Sequence, residues 1–204
     1  MEINRVRIGR TLVNIGILGT MNCGKTSVFV SFMNSLASSE EKILAGAPGG
    51  PEMYTTQTVD FIRFTSKGFI HVLYGTGGHQ TPITDYYRVY VLRNANRFLC
   101  MFDLSEDLEE QFNFFRGFEI PTKSIVVYLN KYDLAPENLK NYQEKVSSFF
   151  INEQKKLIKE IFPTVALKST GEEHEKYHQN CLKGILSLCD FDRDASAFDV
   201  WEGQ

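Results

Sequence analysis

Apolar residues in this chain fall into short runs separated by turn-forming clusters, and the spacing inside each run predicts an element. Leu12 to Leu18 is an apolar run ending in Gly19, the pattern of a buried strand. Val28, Phe29, Phe32, Met33 and Leu36 recur at helical spacing and predict a helix over 27–37. Ser38 to Lys42 is polar, and Gly46-Ala47-Pro48-Gly49-Gly50-Pro51 reads as loop. Val59 to Phe64 and Phe69 to Tyr74 flank Ser66-Lys67-Gly68, a hairpin pattern. Gly75 to Pro82 reads as loop and 85–94 as helix. A short strand over 98–102, a helix over 105–116 and a buried strand over 124–129 come next. Residues 138–162 read as a long amphipathic helical stretch, continuous or broken, followed by a strand at 164–167 and a closing helix at 175–189.

Strands alternating with helices predict an α/β domain in three layers: a mainly parallel six-stranded sheet, one strand of it antiparallel, with helices on both faces. In such sheets ligands bind beyond the carboxyl ends of the strands. The 204 residues suit one domain, read as 1–190, with 191–204 a short acidic tail. At 43% hydrophobic and 23% charged, the chain can bury a core. A net charge of −3 argues against a broad nucleic-acid face. No apolar run approaches the ~20 residues of a membrane span. The beginning of the chain lacks the apolar core of a secretory signal, and neither end carries a lipidation pattern. Cys23, Cys100, Cys181 and Cys189 form no CxxC pair, so no zinc site or disulfide framework is indicated and a reducing cytoplasm is the expected compartment.

Two motifs carry chemistry. Gly19-Thr20-Met21-Asn22-Cys23-Gly24-Lys25-Thr26 matches G-x-x-x-x-G-K-[ST] between a predicted strand and a predicted helix. Glycines there let backbone N–H groups of residues such as Asn22, Cys23 and Gly24, and of Ser27 beyond, face phosphate oxygens at a helix N-terminus. Lys25 reaches the β- and γ-phosphates, and the Thr26 hydroxyl is a ligand for Mg²⁺. Asn130-Lys131-Tyr132-Asp133 follows the strand at 124–129 and has the N-K-x-D pattern. The Asp133 carboxylate can accept from guanine N1–H and the 2-amino group together, which adenine cannot satisfy, and the Lys131 stem can lie along the purine face.

With these motifs the chain resembles the Ras-like small GTPases from about residue 12 to residue 189, closest to the prokaryotic MglA-like polarity GTPases. The resemblance implies a P-loop G domain that binds GTP or GDP with Mg²⁺. Phe98 to Phe102 resembles the family's fourth strand, and Leu167-Lys168-Ser169-Thr170-Gly171-Glu172 its last guanine-contacting loop. Lys168 takes the place of an alanine whose backbone N–H reaches guanine O6, with Ser169 beside it. Thr56 to Phe61 resembles switch I, T-x-x-x-D-F; Thr56 is assigned to Mg²⁺ and the γ-phosphate, with Thr55 and Thr58 as alternatives.

The departures are informative. Switch II, normally D-x-x-G-Q, reads Gly75-Thr76-Gly77-Gly78-His79-Gln80. Gly75 replaces the aspartate that holds Mg²⁺ through water, and Gly78 keeps an N–H for the γ-phosphate. Asp60, opening the strand that pairs with the one ending at Gly75, is the candidate substitute; the alternative is a strand acid paired with Arg63 or a backbone group. His79 takes the place of the water-orienting glutamine, with Gln80 in reserve. Met21 replaces a glycine beside the γ-phosphate, and Thr55 stands where MglA-like proteins tend to carry arginine. An arginine finger is worth ~10³–10⁵ in rate. The expected activity is therefore slow GTP hydrolysis in a molecular switch, served by an effector and a GTPase-activating protein, the roadblock (MglB-like) kind among the candidates. The alternative is a pseudo-GTPase that holds nucleotide with little or no hydrolysis. No nucleic-acid partner and no integral membrane contact are expected; Arg5, Arg7 and Arg10 leave room for peripheral association.

Overall fold

A computed structural model describes residues 13–36, 42–47, 59–67, 69–77, 81–167 and 172–190. Strand β1 (Val13–Gly19) leads into helix α1 (Lys25–Leu36), then β2 (Lys42–Ala47) and the hairpin β3 (Asp60–Ser66) and β4 (Phe69–Gly75). Helix α2 (Pro82–Asn94), β5 (Arg97–Asp103), α3 (Leu108–Arg116), β6 (Ser124–Asn130), α4 (Leu139–Ser148), β7 (Leu157–Pro163) and α5 (Glu172–Cys189) complete the order. The strands form one sheet in the order β2-β3-β4-β1-β5-β6-β7. Only β3 runs against its neighbours, pairing antiparallel with β2 and β4; the β4–β1, β1–β5, β5–β6 and β6–β7 pairs are parallel.

The α/β class and the single antiparallel strand are as expected. The sheet has seven strands, not six, and two elements differ. Lys42–Ala47, read as the start of a loop, pairs with β3 at the sheet edge. The stretch read as helix to residue 162 is helical only to Ser148, passes through a π-helical turn at Phe149–Glu153, and continues as β7. The strand expected at 164–167 therefore lies earlier, at 157–163. The cause is a register shift: Ile125 pairs with Ile158, but Val126 pairs with Glu160. The residue skipped there breaks the period-two alternation and leaves Ile158, Ile161 and Phe162 at a helix-like spacing.

Each face of the sheet carries its own core. Ile15, Ile17, Ile62, Phe64, Leu73, Met101 and Tyr128 point to the side covered by Phe29 and Phe32 of α1 and Ile185 of α5. Leu18, Cys100, Phe102, Val127 and Leu129 point to the side covered by Val91 of α2, Phe112 and Phe115 of α3, and Val146 of α4. Local sequence fixes the helix starts. Thr81 and Thr84 form a reciprocal capping box ahead of α2, with Pro82 at a first-turn position where no N–H is needed. The Asp107 carboxylate accepts from Glu110 N to cap α3. All four cysteines are buried thiols. Among the described residues no helix is long and apolar enough to cross a membrane.

His71 of β4 is fully buried, stacked on Phe64. Its Nε2 lies 3.2 Å from Ser66 O, so Nε2 carries the proton and donates, while Nδ1 has no hydrogen-bond partner among the described residues. Burial lowers its pKa below 6.5, partly offset by that hydrogen bond. The folded chain then binds fewer protons than the unfolded chain once pH drops to the ordinary histidine range, so stability falls on acidification. We expect the urea midpoint of the wild type to drop from about pH 7 to about pH 5, and His71→Leu to flatten that slope.

Candidate functional site

The sequence-assigned residues within the described part of the chain meet at the edge formed by the carboxyl ends of β1, β4, β5 and β6. Antiparallel β3 begins at that edge, because Asp60 pairs with Gly75. The turn after Gly19 places Asn22 at φ +59° and Gly24 at φ +97° before α1 begins at Lys25. Gly24 O accepts from Val28 N at 2.9 Å, starting the helix, and leaves the preceding N–H groups outside its ladder. The Lys25 side chain folds back over the loop. It is 7% exposed, and its ammonium donates to Gly19 O at 2.9 Å and Thr20 O at 2.5 Å, with Cys23 Sγ at 3.6 Å. Cys23 is fully buried in the α1 core, which explains a small residue there and leaves its thiol out of reach.

Asn130, the last residue of β6, ties the site together. Its side-chain NH₂ donates to Cys23 O at 2.8 Å. Its Oδ1 accepts from Thr164 Oγ1 and Ala166 N, both at 3.2 Å. One buried amide thus joins the phosphate-loop turn, the N-K-x-D strand and the segment leading to residues 167–172. Gly24 accommodates this contact: a Cβ there would sit 2.2 Å from Asn130 Nδ2, at a φ that side chains rarely adopt. Lys131 turns the chain with φ +60°, Asp133 is exposed, and Leu134 N closes the turn onto Lys131 O at 3.0 Å.

On the other side of the phosphate loop, the Thr26 hydroxyl, in the first turn of α1, donates to Asp60 Oδ2 at 3.4 Å. Asp60 is 4% exposed and shares its face with Ile62 and Phe64, while Arg63 alternates to the opposite, exposed face. Gly75 cannot be the aspartate of D-x-x-G in this packing, because a Cβ there would lie 2.5 Å from the Phe29 ring. An acid does reach the first turn of α1 from across the hairpin, namely Asp60. Thr26 and Asp60 present hard oxygen donors at short separation, the donor set Mg²⁺ takes alongside phosphate oxygens and water. Among the described residues no cluster of three His, Cys, Asp or Glu side chains offers another metal site. His178 faces Ser31 Oγ at 3.3 Å and Val165 O at 3.1 Å, a brace between α1, α5 and the 164–166 segment.

Thr56, Gly78, His79, Gln80, Lys168 and Ser169 lie outside the described residues, as do Arg5, Arg7 and Arg10. Sequence reasoning passed over Asp103, a fully buried acid at the end of β5 whose Oδ2 lies 2.5 Å from the Lys131 ammonium. It also passed over Thr164. The available signal for Asp103 was an acid ending an apolar run at the carboxyl edge of the sheet.

The chain matches no protein-family model and no curated protein. Among solved structures it is similar to translation elongation factor SelB from Methanococcus maripaludis, solved in complex with the GTP analogue GppNHp. The TM-score is 0.58 at 19% sequence identity, over 87% of this chain and 33% of the SelB chain. This chain thus spans about a third of SelB's length, and the likeness establishes a shared fold.

Two outcomes test the site's architecture. Asn130→Ala strands Cys23 O, Thr164 Oγ1 and Ala166 N, and we expect a loss of about 2–4 kcal/mol in urea unfolding. Gly75→Asp drives a side chain into the Phe29 ring and should cost about 1–3 kcal/mol by the same measurement, despite restoring the usual acid.

Proposed function

We propose that the protein is a guanine-nucleotide-binding switch that holds GTP or GDP with Mg²⁺ and hydrolyses GTP slowly, in the cytoplasm. Residues 1–190 carry it as one domain, with 191–204 as a tail. The observation that carries this reading is the Asn130 amide. It couples an intact G-x-x-x-x-G-K-[ST] loop to an N-K-x-D turn at the ligand-binding edge of a parallel sheet. SelB's complex with a GTP analogue, in a domain of the same fold, adds support.

In this reading the loop N–H groups and the Lys25 ammonium hold the phosphates, and Lys25 exchanges its carbonyl contacts for phosphate oxygens. Asp133 selects guanine and Lys131 carries the purine. Thr26, Asp60 and Thr56 hold Mg²⁺, which supplies neutralisation of the phosphate charge. His79, with Gln80 in reserve, orients the attacking water; Gly78 N–H, Lys168 and Ser169 complete the phosphate and base contacts.

Switch partners are proposed on a surface feature. Tyr86 is 69% exposed, Ile83 59% and Tyr90 43% on α2, and Tyr74 and Tyr90 meet edge to face. Phe61, exposed on β3, pairs directly with Tyr74. This apolar strip on α2 and the β3–β4 hairpin suits an effector or a GTPase-activating protein, the roadblock kind included. A second reading, a pseudo-GTPase, draws support from Gly75 and from Met21, an exposed residue of the phosphate-loop turn whose bulk would crowd an arginine finger.

The deciding experiment is a single-turnover time course with GTP and Mg²⁺. We expect GTP, and not ATP, to be retained and converted to GDP over minutes to hours, with retention lost in Lys25→Ala and turnover lost in His79→Ala. Retained but unhydrolysed GTP, even with a partner, selects the pseudo-GTPase; no retained guanine nucleotide overturns both. Asp60→Asn should raise the Mg²⁺ needed for half-maximal retention by about 10- to 100-fold, and an unchanged requirement removes Asp60 from the metal site.

A further inference from the structure

We propose that Asp103 is the positioning residue of the base pocket: it tethers the Lys131 ammonium inward and so lays the lysine stem out as the platform for the purine. The inference rests on the guanine-binding reading and adds to it a residue that no motif contains.

Asp103 closes β5 directly beside Asn130 of β6, and none of it is exposed. Its backbone is locked from α3. The Gln111 side-chain oxygen accepts from Asp103 N at 2.7 Å, and the Gln111 NH₂ donates to Asp103 O at 2.9 Å. Its carboxylate is aimed as well. Oδ1 accepts from Ser105 N at 2.9 Å and from Ser105 Oγ at 2.6 Å. That leaves Oδ2, which faces the Lys131 ammonium at 2.5 Å. A carboxylate removed from water needs a compensating cation, and Lys131 is the one within ion-pair distance among the described residues.

The pair constrains the lysine more than the acid. Lys131 already sits at φ +60°, unfavourable for a side chain with a Cβ and found where surrounding structure insists on it. Its tip is held at a fully buried carboxylate while the side chain as a whole stays 28% exposed. A free lysine at a rim samples many rotamers, and fixing them on ligand binding weakens affinity. Anchoring the ammonium to Asp103 removes that cost beforehand and keeps the charge away from the face on which a flat base rests. Asp103 itself does not touch the base; Asp133 reads it.

The test measures equilibrium affinity and dissociation of fluorescent GDP and IDP for wild type, Asp103→Asn, Lys131→Met and the double variant, with Mg²⁺ saturating. We expect each single variant to weaken GDP about 10- to 100-fold, mostly through faster dissociation. The double variant should be no weaker than the weaker single, because both remove the same arrangement. Asp103→Asn should weaken GDP and IDP by the same factor, since the 2-amino group that distinguishes them is read by Asp133. If Asp103→Asn does not fold, Ser105→Ala, which frees Oδ1 from the hydroxyl alone, should show a smaller loss that likewise vanishes in the Lys131→Met background. Wild-type affinity in both Asp103→Asn and Ser105→Ala, effects that multiply in the double variant, or selective loss of GDP over IDP overturns the proposal. A wild-type chain that binds no guanine nucleotide overturns the underlying reading along with it.

Discussion

The side-chain amide of Asn130 is the contact on which the rest of the site depends. It sits at the end of a buried parallel strand, where the chain must turn out toward a ligand edge, and it uses both ends of its dipole. Its NH₂ satisfies the Cys23 carbonyl, which the tight loop before α1 leaves without a helical partner; its oxygen satisfies Thr164 and Ala166. Three segments far apart in the chain thereby share one reference point. Buried as it is, the group cannot exchange these partners for water, so the arrangement is held by the cost of leaving them unmade. Gly24 belongs to the same constraint, since any side chain there would displace the amide.

Charge is distributed around this point with little waste. Lys25 donates to the carbonyls of its own loop, and Asp60 is turned toward Thr26 by the hairpin. Asp103 and Lys131 close the opposite side. Each charged group that is taken out of water has a polar partner within reach, as burial requires. The exposed apolar residues of α2 and β3 lie outside this arrangement.

Much of this was legible from residue order. The phosphate loop and N-K-x-D stand out because their backbone needs restrict residue types, and β1, β5 and β6 stand out as apolar runs too short for helices. β7 did not, because the register shift between Ile125 and Val126 erased the alternation that marks a strand. β2 did not, because its stability comes from pairing with β3, a contact distant in sequence, while Gly46 and Ala47 locally favour a turn. Asp60 stands out in the sequence because an acid is missing at Gly75, and the hairpin register sets it opposite Gly75 with its carboxylate on the Thr26 hydroxyl. Asp103 was missed for a different reason: a lone acid at a strand end carries no spacing rule, and only the fold reveals that its partner is a residue of the motif.

Gly75 has one more consequence. The chain leaves β4 there with no side chain, pressed against the ring of Phe29 on α1. The segment that follows is therefore anchored at its root by van der Waals contact and shape, where an acid would have anchored it by charge. Such a root is indifferent to ionic strength and to protonation. It answers instead to the tilt of α1, because the contact at that root is with the aromatic ring of Phe29.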